Sequence, residues 1–385
     1  MRNFSRRFVL IIIVLISGSI YWWAKSGSSK CHEIRLGASL PLSGINKELG
    51  KEVKEGAELA FSEANRKGEI GGKKIDLIVY DDKYEPAKTL ANTRRLIDRD
   101  DVCALFGFVG TPTSRAVLPY IDVVPFIAPY TGASFLRDPE WKNIVNFRNS
   151  YAREMETIVH YLHDEKGYQR FAIFYQNDSY GIDGFNALTQ VLKKRNIELV
   201  GEGTYKRNTL SIRHGLEDLR RSAPEVVVIV GAYKPSARFI RAWRKGVSGD
   251  TLFATISFVN ADALIRELGP DLSQGILFSS TVPSYDDPSL PAAREYRRLL
   301  GSTDPNTRGS FASFESFLAA KTVIRALERL GDESKAERLI HSLKGLSGES
   351  IGGIPLNYKN GALLDRTYLF RYQEGRFVSV PRTLR

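Results

Sequence analysis

The chain has 385 residues, 43% hydrophobic and 26% charged, with a formal net charge of +11. That length exceeds one ordinary hydrophobic core and fits two domains, and the composition excludes intrinsic disorder, collagen-like sequence and a polytopic membrane protein. Two cysteines are too few for a disulfide scaffold or a four-thiolate zinc site, and basic residues interleaved with acids, as in Arg94, Arg95, Asp98, Arg99, Asp100 and Asp101, argue against a nucleic-acid footprint.

Arg2, Arg6, Arg7, Lys25 and Lys30 all precede the first acid, Glu33, and Phe8 to Ala24 carries no charge. A basic leader before an apolar run is an export signal, with the arginines retained on the cytoplasmic side. Residues 1–24 are therefore assigned as a signal peptide or a membrane anchor, and the body is placed in the periplasm or on the extracytoplasmic face. Tyr21, Trp22 and Trp23 suit a membrane interface and favour the uncleaved anchor. A cleaved signal, with the cut near Ser26 to Ser29, is the alternative. Ser28, Ser29 and Lys30 do not make a lipobox before Cys31.

Beyond the leader, strands alternate with helices. Ile34 to Leu40 reads as a buried strand and Lys51 to Arg66 as a helix, with Val53, Ala57, Ala60, Phe61 and Ala64 at helical spacing. Strands follow at Ile75 to Tyr80, Val102 to Phe108 and Pro125 to Pro129, separated by helices at Glu85 to Arg99 and Thr113 to Ile121. A second series has strands at Arg170 to Tyr175, Glu198 to Glu202, Val226 to Val230 and Leu252 to Thr255. Its helices are Gly184 to Arg195, Ile212 to Ser222 and Ala237 to Lys245. Helices then recur at Ala292 to Leu300, Phe314 to Leu330 and Lys335 to Leu343. A closing ribbon from Leu356 to Val380 turns at Lys359-Asn360-Gly361 and at Glu374-Gly375. This pattern predicts an α/β protein of two similar lobes with parallel sheets, linked by several crossings because no low-complexity linker separates them.

Open α/β sheets bind ligands in the loops after their strands. Thr111-Pro112-Thr113-Ser114 follows such a strand and has hydroxyls beside free helix N–H groups. It reads equally as a small anion site and as an ordinary cap. Tyr130-Thr131-Gly132-Ala133-Ser134 repeats the design, with Gly132 permitting close approach to the backbone. Tyr180 and Tyr233 follow strands of the second half and are candidates to close on a ligand or simply to pack.

Catalytic signatures are missing, and the chain reads as a non-enzyme without a cofactor. Gly68 to Lys73 fails the P-loop spacing and reads as a turn. His160 and His163 sit three apart on a predicted helix and could share a metal, but no third ligand is evident. Asp81-Asp82 reads as a loop cap rather than a cation site. Cys31 precedes the first strand and Cys103 begins the third, which are neighbours in a flavodoxin-like order. A disulfide and two unpaired thiols stand as equal readings.

Several stretches together resemble the extracytoplasmic solute-binding proteins of branched-chain amino-acid ABC transporters, the leucine-binding type I periplasmic binding proteins. They are Ile34 to Gly44, Gly56 to Ala60, Tyr80 to Asp82, Gly107 to Ser114, Pro129 to Ala133, Tyr175 to Gly181 and Gly231 to Tyr233. The resemblance implies two Rossmann-like lobes joined by a three-crossing hinge. Lobe one would be residues 33–151 plus 281–357, and lobe two residues 152–280 plus 358–385.

For the ligand, the resemblance implies a carboxylate-binding hydroxyl at Thr111 assisted by the backbone at Thr113. It further implies contacts from Tyr130, Thr131 and Gly132, with aromatics Tyr180 and Tyr233 closing over the solute. The acid expected near Ser257 is absent from Ser257-Phe258-Val259-Asn260. A second acid is displaced, with Arg153 in its place and Glu154 adjacent. An ammonium without a counter-charge is poorly held in a closed cleft. Amides, short carboxylates, urea-like solutes and aromatic acids therefore stand beside amino acids as ligands. The function expected is delivery of a small polar solute to an ABC transporter permease. The alternative is a membrane-anchored sensor that signals to a kinase or cyclase partner.

Overall fold

The computed structural model describes residues 34–246, 250–303, 307–331 and 336–381. The leader and Cys31 lie outside them. Each of two parallel sheets grows from an apolar run buried on both faces.

In the first, β1 (Ile34–Leu40) has six of its seven residues buried. It is flanked by β2 (Ile75–Asp81) and β3 (Ala104–Phe106), with β4 (Phe126–Ile127) and β5 (Ile144–Val145) beyond, in the order β2-β1-β3-β4-β5. In the second, β6 (Phe171–Gln176), β7 (Leu199–Tyr205), the wholly buried β8 (Val226–Val230), β9 (Leu252–Thr255) and β10 (Leu277–Ser280) repeat that order. An antiparallel ribbon, Tyr368–Gln373 with Arg376–Ser379, extends this sheet beyond β10. Both sheets reverse their strand order between the first and third strands of each series, which opens a crevice at the carboxyl ends.

Most predicted elements appear, with shifted ends. The helix expected at Lys51 begins at Lys47, and the one expected at Gly184 spans Ser179–Lys193. Thr113 to Ile121 is not one helix. A five-residue turn, Thr111–Arg115, is followed by a 3₁₀ turn at Leu118–Tyr120, after which Val123 stands exposed. The closing ribbon begins only at Tyr368. Its upstream part is a tight turn in which Lys359 pairs with Ala362, and Asn360 and Gly361 take positive φ. The helix expected to carry His160 and His163 begins earlier, spanning Tyr151–Val159 and continuing as a π turn through His160–Glu165.

The chain passes between the sheets three times: after β5, after β10 and before Tyr368. After the second passage, helix Phe311–Leu330 packs on helix Lys47–Lys67 so closely that a Cβ on Gly56 would lie 1.9 Å from the Ser313 carbonyl oxygen. Side chains bind the passages together. Arg148, in the first, forms a two-pronged pair with Glu315 at 2.7 and 2.7 Å, and Thr281, in the second, donates to the same carboxylate at 2.7 Å. Asn149 donates to the Arg366 carbonyl at 2.5 Å and to Thr367 Oγ1 at 2.8 Å, in the third. The Arg148 side chain is fully buried, and its guanidinium sits 4.0 Å from the centre of the Tyr130 ring.

The backbone N–H of Cys103 donates to the Arg35 carbonyl at 2.7 Å, beside the start of β1. No cysteine among the described residues is free.

Removing one member of a buried ion pair strands its partner in low dielectric. Glu315→Ala is therefore expected to cost about 3–5 kcal/mol of folding stability by denaturant titration. Arg148→Met with Glu315→Leu should cost less than either single loss, because no charge is left unpaired.

Candidate functional site

The crevice between the lobes is lined by rings placed by the strand ends. Asp82, buried at the end of β2, accepts from Ser39 Oγ, Thr89 Oγ1 and the Tyr84 N–H at 2.9, 3.0 and 2.8 Å. Those bonds hold Lys83 and Tyr84 at positive φ and turn the Tyr84 ring inward. Burial raises the Asp82 carboxyl to about 6. Its neighbour Asp81 accepts from Leu42, Ser43 and Lys83. The acid pair thus organises the loop, as a cap does.

Gly110, at φ 108°, admits the Tyr84 ring, since a Cβ there would lie 2.3 Å from Cε2. Gly132 does the same for Tyr151, at 2.4 Å from Cδ1. The close approach expected of a ligand at Gly132 is therefore made by a ring of the chain itself.

Across the crevice, Phe258 from the loop after β9 is 1% exposed. Its ring centre lies 4.6 Å from Tyr180, 6.2 Å from Tyr130 and 6.2 Å from Tyr84. Tyr151 lies 5.5 Å from Tyr180. Beside these rings runs a hydroxyl chain: Thr111 Oγ1 to Thr131 Oγ1 at 2.7 Å, then Thr131 to the Tyr151 hydroxyl at 3.0 Å. Burial pushes the Tyr151 hydroxyl up to about 12, so it stays protonated and can donate.

Thr111, Tyr130, Thr131, Gly132 and Tyr180 thus come together. The Thr113 side chain is turned away, its Oγ1 donating to the Val109 and Gly110 carbonyls at 2.5 and 2.9 Å, which leaves only its backbone for the role expected of it. Neither Thr113 nor Ser114 caps the short helix, whose N-cap is Gly110. Tyr233 is buried but stands outside the ring cluster, in the electrostatic neighbourhood of Glu48, Glu52 and Glu267. The His160 and His163 ring nitrogens bond Asp164 and the Tyr168 carbonyl. Among the described residues no group of three His, Cys, Asp or Glu side chains could hold a metal.

Ser257 corrects the reading of the missing acid. Its N–H and Oγ donate to Glu154 at 2.7 and 2.9 Å, and Ser279 Oγ also bonds that carboxylate. A carboxylate therefore does reach the Ser257 position, from the first turn of helix Tyr151–Val159. Arg153 is exposed and donates to the Asp365 carbonyl. Burial raises the Glu154 carboxyl above its ordinary value, against the opposing pull of Arg148.

Glu154, the acid adjacent to Arg153, takes up the displaced position, whereas Tyr84, Tyr151 and Phe258 are neither hydroxyls of the two loops nor acids and carry no such mark in the sequence. The available signal was aromatic: Tyr84 follows β2 as Tyr130 follows β4.

The lobes also touch directly. Ser134 N and Oγ bond Asp183 at 3.0 and 2.5 Å, and Asn208 Nδ2 reaches Glu85 at 2.6 Å. Asn260 Nδ2 donates to Glu52 at 2.8 Å, and Arg266 pairs with the same group. Asp262, on the neighbouring helix Ala261–Leu268, accepts from the Tyr285 hydroxyl at 2.7 Å and the Phe311 N–H at 2.9 Å. Burial, then the nearby Glu52 charge, raises Asp262 to about 7.

The periplasmic binding protein family matches residues 33–376. The Leu/Ile/Val-binding protein homolog 7 of Brucella abortus is 23% identical over 374 residues, covering 90% of this chain and 91% of that protein. Among solved structures, one described as a possible leucine/isoleucine/valine-binding protein from Rhodopirellula baltica superposes with a TM-score of 0.86. It is 33% identical, covering 92% of this chain and 98% of its own. A leucine binding protein from Thermotoga maritima superposes at 0.81 with 17% identity, covering 90% and 98%, and shares the fold.

Two measurements probe this architecture. Thr111→Val keeps shape and breaks the hydroxyl chain. Loss of a bond to a charged solute group should weaken binding by roughly ten- to a hundredfold, and a titration that leaves affinity unchanged would remove Thr111 from the site. Asp262, neutral in the fold up to about pH 7, ionises near pH 4 once unfolded. Its neutral native form means that stability falls as pH rises from about 4 to 7. Asp262→Asn, which can still pair with Tyr285 and Phe311, should flatten that part of the melting profile.

Proposed function

On the premise that this chain belongs to the periplasmic binding protein family, we propose that it binds a small solute between its lobes outside the cytoplasm and delivers it to an ABC transporter permease. The observation that carries the reading is the Thr111–Thr131–Tyr151 hydroxyl chain set beside Tyr180 and Phe258, with donors on one wall and rings on the other. Such a crevice suits a solute with a carboxylate or carbonyl end and an apolar body. The names of the relatives, which bind leucine, isoleucine or valine, point to solutes of that size.

The solute's second substituent follows from Glu154. Three donors from Ser257 and Ser279 already satisfy this carboxylate. An incoming ammonium would compete with bonds made in a buried setting, where each lost partner is costly. The reading therefore favours short branched or aromatic carboxylates and their amides over free α-amino acids.

A thermal-shift comparison tests both levels. Leucine and valine are set against 4-methylpentanoate, 2-hydroxy-4-methylpentanoate and phenylacetate at millimolar concentration. Binding to the native state raises the melting temperature with the logarithm of ligand concentration over Kd, so at equal concentration the tighter ligand gives the larger shift. Larger shifts from the acids lacking an amino group support the finer reading. Larger shifts from leucine or valine overturn it and leave solute binding intact. A bound solute that leaves the radius of gyration in solution scattering unchanged would count against clamp closure.

A further inference from the structure

Away from the crevice, a second cavity of about 340 Å³ lies against the hinge. Its walls come from both lobes, because the turn at Lys359 to Asp365, expected from the sequence to open lobe two, is bonded to Asn146 and Phe147 and so stays with the first lobe. Helices Tyr151–Val159 and Ser179–Lys193 and the following Lys194 form one side; Arg137 and the turn at Lys359 to Asp365 form the other. Two of the three passages, at Asn149 and at Leu364, run along it.

Four cations line this cavity: Arg137, Arg153, Lys194 and Lys359. Among the described residues none of them forms an ion pair. Arg137 spends its guanidinium on the carbonyls of Ala133, Arg148 and Asn149, at 2.5, 2.9 and 2.7 Å. Arg153 meets only the Asp365 carbonyl, at 3.3 Å. The cavity's two acids are engaged elsewhere, Glu156 with Arg195 at 2.6 Å and Asp365 with Asn357 at 3.1 Å. Burial lowers Arg137 to about 10, with the Arg148 charge adding to that and the more distant Asp183 and Glu154 only partly opposing it. Elsewhere on this chain cations meet acids directly, as in Lys321–Glu295 and Arg66–Glu63.

We propose that this hinge cavity is a binding site for a small multivalent oxyanion of the phosphate type, distinct from the solute crevice. An anion there would sit between groups that lobe rotation moves relative to one another. It would therefore favour the hinge angle that brings Lys194 and Lys359 together around it, and by linkage it would change solute affinity. The site does not depend on which solute fills the crevice.

The probe is inorganic phosphate, titrated into the full chain by calorimetry and thermal shift, with chloride at matched ionic strength as the control. Lys194 and Lys359 are exposed, so Lys194→Gln with Lys359→Gln leaves the packed hinge intact. The expected result is saturable phosphate binding beyond that of chloride, weakened roughly tenfold in the double variant. The variant should melt as the parent does without phosphate. Equal responses to phosphate and chloride, or equal affinity in parent and variant, would overturn the proposal.

Discussion

The Arg148–Glu315 pair holds this molecule's plan together. Its carboxylate takes a guanidinium from the first passage and a hydroxyl from the second. Asn149, the residue after Arg148, ties in the third. Because the pair is buried, neither charge can be released into water, so the three passages behave as one element. The same guanidinium lies over Tyr130, a wall of the crevice. Hinge and solute wall therefore share a side chain. A change in hinge angle cannot leave that wall untouched.

The crevice is more apolar than its hydroxyl-bearing loops suggest. Rings from both lobes meet around Phe258, and glycines at 110 and 132 are spent on making room for Tyr84 and Tyr151. The polar chemistry is confined to one strip, Thr111 to Tyr151, and to Glu154 at the hinge end. On the proposed reading, such a division would set specificity by ring shape and reserve the hydroxyls for orientation.

The fold was legible because the apolar runs carry it. Ile34 to Leu40, Val226 to Val230 and Leu252 to Thr255 match the structure to the residue, since each lies in a doubly covered sheet where, Arg35 apart, the positions are apolar or small. The miss at Thr113 to Ile121 has a local cause: Pro112 starts one turn and Pro119 a second, so no continuous helix forms. The start of the helix that leads to His160 is set by Ser150 accepting from the Arg153 N–H within a polar stretch, which apolar periodicity does not mark. Half of the site was visible as loop hydroxyls after strands. The rest, as at Phe258, depends on which side chains two lobes bring face to face, and no single segment encodes that.

The ribbon at the end of the chain has a bearing on how the protein is made. Tyr368–Gln373 covers the edge of β10, nearly ninety residues earlier in sequence, and helix Phe311–Leu330 completes a lobe whose sheet ends at Val145. Neither lobe can be finished by a nascent chain still lacking its last third. Until synthesis ends, β10 offers an open edge and helix Lys47–Lys67 an uncovered apolar stripe, both prone to wrong partners. Long-range closure of this kind slows folding. Late closure of both lobes is thus written into the order of the segments.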